Sequence, residues 1–127
     1  MNSKLVWICQ LVAAFIIGGA GVLKLMGNPV DIFVFSQLGM EPFGRYLIAI
    51  LEALASLLLF SGTFAAPGAL LAIGTMMGAA IAHITVLGFD VQGDGGMHIA
   101  FLTTVVLSAG SVLLARRREL PLVGSTL

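Results

Sequence analysis

Five ionisable side chains fall within or at the edges of long apolar runs: Lys24, Arg45, Glu52, His83 and His98. Together they supply one carboxylate, two fixed cations and two imidazoles. Such a set can hydrogen-bond a quinone oxygen or relay its proton, and ionisable groups at membrane depth turn inward and pair because exposure to hydrocarbon is costly. Each also has a plainer reading. Lys24 stands one turn from the end of its apolar run, where its stem can snorkel to the headgroups. Arg45 reads first as an interfacial anchor, and both histidines first as structural or interfacial groups at helix ends. Glu52 has too short a side chain to reach far, so it carries the functional reading, with a structural salt bridge to Lys24 or Arg45 as its alternative.

Other chemistry is thin. Glu52, His83 and His98 are a donor set that suits zinc or non-haem iron. No local ligand spacing supports such a site, and no metal is expected. Asp90-Val-Gln-Gly-Asp94-Gly lacks the further acids of a calcium loop and reads as a glycine-rich turn. The sequence contains no nucleophile motif, phosphate loop or haem attachment sequence, so no catalytic residue is assigned. Its one cysteine, Cys9, permits no intrachain disulfide and no dithiol relay.

The elements that position these groups follow from hydropathy. The chain has 127 residues, 59% of them hydrophobic and 9% charged, against about 25% charged in a soluble domain. Its mean hydropathy is +1.11. A bilayer crossing needs about 20 mostly apolar residues, and four stretches qualify: about 5–26, 43–64, 67–87 and 96–115. The expected fold is therefore all-α, a single transmembrane domain over 1–127 built as a four-helix bundle. Pro42 and Pro67 suit first-turn positions, and Ser61 to Gly68 reads as a tight hairpin. Asn28-Pro29-Val30-Asp31 opens a short helix that Gly39 can end, too short to cross and so lying in the interface or capping the bundle. The alternative reading of the first run as a cleaved signal peptide would leave an odd number of spans.

Helical spacing aligns Gln10, Ala14, Ile17, Gly21 and Lys24 on one face of the first span. Arg45, Ala49, Glu52 and Ser56 share a face of the second, and Ala72, Met76, Ala79 or Ala80, and His83 a face of the third. Glu52 lies about 10 Å deeper than Arg45. Gly74-x-x-x-Gly78 matches a close-packing motif, within or between protomers. Arg116, Arg117 and Arg118 follow the last span and Lys4 precedes the first, which places both termini in the cytoplasm. The ionisable groups then lie in the outer half. The formal net charge of zero gives nucleic acid no electrostatic foothold.

Several of these residues occur in the order of a known family. Gly21-x-x-Lys24-Leu25-x-Gly27 is followed by Gln37-Leu38-Gly39-Met40-x-Pro42, by Arg45 and Glu52, and by Met76 and Met77 through Ala80 to His83. Over residues 18–85 the chain resembles the DoxX-like family. The resemblance implies a four-helix protein of the bacterial plasma membrane. Relatives serve as membrane subunits of thiosulfate:quinone oxidoreductase, join thiol and superoxide defence proteins in a membrane complex, or assist assembly of ligand-gated channels. Lys24, Arg45, Glu52 and His83 match its recurrent polar positions, which carry no agreed catalytic role, and His98 lies outside the match.

The leading expectation is an accessory subunit without catalysis of its own. Its outer-leaflet polar cavity would take a quinone-like or lipid ligand or a redox partner. A quinone is the one candidate cofactor. The expected partners are the lipid bilayer and a membrane or periplasmic protein, with a homo-oligomer left open. A membrane-protein assembly factor is the second reading and a small transporter the third.

Overall fold

The computed structural model describes residues 2–127. Among these residues four helices are long and apolar enough to cross a membrane, the architecture of a multi-pass membrane protein. Helix α1 is Ser3–Leu25, α3 is Phe43–Phe60, α4 is Ala65–Ala82 and α5 is Met97–Arg116, with the short α2, Pro29–Gln37, between the first two spans. A π-helical turn, His83–Leu87, extends α4, and 3-10 turns at Arg117–Glu119 and Gly124–Thr126 follow α5. Around the bundle, α1 lies against α3 and α5, and α4 closes the ring against the same two helices.

The core is built from small side chains. Ala13, Ala14, Ala55, Ala65, Ala69, Ala72 and Ala109 surround Ile17, Leu59, Val105 and Val112, while Phe15, Leu57, Ile84, Leu107 and Leu114 point outward. Lipid solvates a large aliphatic group as well as a core does, so nothing drives Leu or Phe inward. Close backbone approach, which small residues permit, holds the helices instead. At Gly21 a Cβ would stand 3.0 Å from the Ala49 carbonyl oxygen, and at Gly68 2.7 Å from Leu58 Cβ. Gly74 and Gly78 are the opposite case. Both are exposed and a Cβ on either meets nothing within 4 Å, so this motif does not mediate packing inside the protomer.

Element boundaries differ from the sequence reading at one hairpin. α3 ends at Phe60 and α4 begins at Ala65, before Pro67. The Ser61 hydroxyl accepts the amides of Thr63 and Phe64, both at 3.1 Å, so the turn is made at Ser61 and Pro67 falls inside the first helical turn. Pro42 stands just before α3 rather than in its first turn. Asn28 precedes α2 but makes no capping bond, because its side chain is engaged with Asp31, 3.1 Å away.

Polar ties at one end of the bundle bring the two termini and the α3–α4 hairpin together. Gln10 Nε2 donates to the carbonyls of Leu59 (2.9 Å) and Ser61 (3.3 Å). Arg116 lies over the Trp7 ring at 5.7 Å and donates to the Gly62 carbonyl. Deeper in, the Ser56 hydroxyl donates to the Ala14 carbonyl at 2.8 Å. The opposite, distal end holds α2, the π-helical turn and the start of α5.

Candidate functional site

The α1 face that ends in Lys24 and the α3 face that carries Glu52 meet at the distal end. Lys24 Nζ stands 3.0 Å from Glu52 Oε1 and 3.7 Å from Asp31 Oδ1. One ammonium is thus held between carboxylates from two other helices. It does not snorkel: the side chains of Lys24, Glu52 and Asp31 are 16%, 3% and 10% exposed. Glu52 Oε1 sits at ion-pair distance yet has no partner in hydrogen-bond direction. Asn28 Nδ2 fixes the far side of Asp31.

Arg45 also turns inward, at 5% exposed, rather than reaching the interface. Its Nε donates to both oxygens of Glu41, at 2.8 and 3.0 Å. Its Nη1 donates to the Lys24 carbonyl, a group at the α1 C-terminus that also accepts the Gly27 amide at 3.3 Å and attracts positive charge. The guanidinium lies 4.6 Å from the Tyr46 ring centre, a cation–π contact. Arg45 therefore fastens the end of α1 to α3 while Lys24 and Glu52 face one another across the same seam. This group contains two cations and three carboxylates.

A second group lies where α4 gives way to the π-helical turn. His83 is buried, its Nδ1 2.8 Å from the Ala79 carbonyl oxygen, and its Nε2 is buried with no hydrogen-bond partner. The His98 ring is 6.3 Å from it, centre to centre, and His98 Nδ1 stands 2.5 Å from Asp94 Oδ2. Asp94 further accepts the backbone amides of Val91, Gly96 and His98, and Asp90 those of Gly93 and Gly95. The bond from His98, helped by those from the backbone amides, holds the Asp94 carboxyl well below the usual carboxylate range despite partial desolvation. Positive φ at Gly93, Gly95 and Gly96 lets the loop wrap around these two acids at little steric cost.

The five residues singled out from the sequence thus sit at one end of the bundle but form two groups. Lys24, Arg45 and Glu52 make the first, His83 and His98 the second, and among the described residues no ion pair or hydrogen bond links them. Sequence reasoning missed the partners Glu41, Asp31, Asn28 and Asp94. Glu41 and Asp94 each stand four residues before the cation or imidazole they bind, a spacing that could have revealed them.

Between α1 and α3 an open apolar groove of about 330 Å³ runs past Phe15, Gly18, Gly19, Val22, Ala53 and Phe60. Lys24, Glu52 and Asp31 do not line it. Compared with known proteins, the chain matches no family model, no curated protein and no solved structure.

Proposed function

We propose that this chain is a DoxX-like accessory subunit of the bacterial plasma membrane, with both termini cytoplasmic and the distal end facing outward. It serves a redox complex by holding a quinone-like or lipid headgroup beside Lys24 and Glu52. The observation that carries this reading is the buried ammonium gripped by two carboxylates. Three acids against two cations leave one carboxylate oxygen able to accept a hydrogen bond or a proton from a hydroxyl. The lysine supplies a donor for a carbonyl or phosphate oxygen. A site purely for structure needs only matched pairs, as Arg45 and Glu41 provide. The groove between α1 and α3 supports an amphiphilic ligand, because it offers an apolar surface on the same two helices that carry Lys24 and Glu52. The resemblance over residues 18–85 adds the redox context.

A membrane-protein assembly factor is the second reading. It rests on the resemblance over residues 18–85, whose relatives include proteins that assist assembly of ligand-gated channels.

Mass spectrometry of the protein gently extracted from its own membranes tests the proposal, reading small molecules and co-purifying proteins together. A stoichiometric quinone or lipid that is lost in Glu52→Gln is the expected result. A single dominant client protein with no small ligand would replace the proposal with the assembly reading.

A further inference from the structure

We propose that His83 and His98 together form a binding site for an imidazole-preferring transition-metal ion such as Zn²⁺. Three observations converge on it. First, each imidazole is anchored through Nδ1 to an oxygen, His83 to the Ala79 carbonyl at 2.8 Å and His98 to the Asp94 carboxylate at 2.5 Å. Metal-ligating histidines are held in this way, with the outer nitrogen on a carbonyl or carboxylate that fixes the tautomer and raises the basicity of the other nitrogen. With its proton on Nδ1, a neutral ring presents Nε2 as a lone pair.

Second, the Nε2 of His83 is buried and has no hydrogen-bond partner, and no hydrogen bond involves Nε2 of His98 among the described residues. A buried polar atom left unmatched in a folded protein is uncommon, and an ion is one of the few things that can satisfy it. Third, the ring centres are 6.3 Å apart. A zinc–imidazole bond is about 2.0–2.1 Å and a ring nitrogen lies about 1 Å from the ring centre, so two imidazoles on one tetrahedral ion stand about 5 Å apart, and binding draws the half-exposed His98 ring about 1 Å toward His83.

The local backbone is suited to this role. His83 opens the π-helical turn that ends α4, a distortion that re-aims side chains and recurs at functional sites. Asp94 fixes the loop and the first turn of α5 through three backbone amides as well as His98. Among the described residues no three His, Cys, Asp or Glu side chains converge. The protein therefore supplies two ligands, and water or a docking partner completes the coordination. This inference does not depend on the quinone-like or lipid ligand, since neither Lys24 nor Glu52 takes part.

The test is titration of the metal-stripped, detergent-solubilised full chain with Zn²⁺ alone, followed by equilibrium dialysis and metal analysis. One equivalent per chain is expected. It should be lost in His98→Ala, which alters a half-exposed residue at the start of α5, and in His83→Gln. Asp94→Asn should weaken binding about 10- to 100-fold, as the loss of such an outer partner does elsewhere. Glu52→Gln should bind Zn²⁺ as the parent does, so failure of the headgroup site and failure of the metal site are read separately. Helix content measured on every variant identifies any that misfolds. No bound Zn²⁺, or binding that a folded His98→Ala leaves unchanged, would overturn the proposal.

Discussion

The two ends of the bundle use the same small-residue helix seams yet treat polar groups in opposite ways. At the end that holds the termini, the buried polar groups bond to backbone: Gln10 donates to carbonyls of the α3 end and Ser56 nearby to the Ala14 carbonyl, while the ion pair there, Arg116 with Glu119, is exposed. On α5, Thr104, Ser108 and Ser111 donate to carbonyls of their own helix. A backbone carbonyl cannot titrate, so those bonds only hold helices in register. At the distal end, side chains meet side chains: Lys24 with Glu52 and Asp31, Arg45 with Glu41, His98 with Asp94. Such contacts can exchange protons or partners. Titratable pairs between elements are concentrated at the distal end, and carbonyl-directed bonds at the other.

The sharpest way to break this contrast is to remove one member of the buried pair. Lys24→Met strips the cation from two carboxylates and should destabilise the protein by about 3–5 kcal/mol. Replacing Glu52 by Leu in the same chain should return most of that loss. Unfolding in mixed detergent micelles measures both. If the single change is harmless, the distal charges are not a coupled unit.

Next in size is the seam that both ends share. Gly21→Val puts a branched side chain where Cβ alone would be 3.2 Å from the Ala53 amide nitrogen. It should cost about 1–3 kcal/mol by forcing α1 from α3. Gly74→Val, which faces open space, should change the same midpoint by no more than about 0.5 kcal/mol. At the other end, Gln10→Leu removes two bonds to carbonyls but also a buried oxygen, Oε1, that has no partner. Its expected cost is about 1 kcal/mol or less, well below that of Lys24→Met.

The smallest effect concerns acid. Asp94 has its carboxyl held below the ordinary range by His98, so its contribution to the loop is complete above the unfolded value, about 3.9. That contribution is lost as pH falls from there toward the lower folded value. Amide exchange of Val91, Gly96 and His98 followed by NMR should stay slow through mildly acidic pH and quicken only below about 4. In Asp94→Asn it should be fast throughout.

Much of this organisation is legible in the sequence. Hydropathy alone marks the four spans, and helical spacing identifies the buried faces of α1 and α3, from Gln10 to Gly21 and from Arg45 to Ser56. What it does not give is which ionisable groups meet. Lys24 and Glu52 lie on different helices and find each other only through the α1–α3 crossing. Asp31 reads as a helix-start acid because its reach to Lys24 depends on how α2 folds under the bundle. Arg45 resembles an anchor until Glu41 and the Lys24 carbonyl are seen to hold it inside. The α3–α4 break, read as 61–68, narrows to 61–64 because the Ser61 hydroxyl accepts two amides there and Pro67 fits inside the first turn of α4.

The central claim is that the distal cluster holds a ligand while the polar groups at the other end only pack. Its most direct test is the amount of quinone or lipid retained after gentle extraction, measured by quantitative mass spectrometry on the parent, Glu52→Gln and Gln10→Leu side by side. The account predicts a near-stoichiometric ligand in the parent and in Gln10→Leu, and its loss in a folded Glu52→Gln. Equal retention in all three, or none in any, contradicts it and leaves Lys24 and Glu52 as a structural pair.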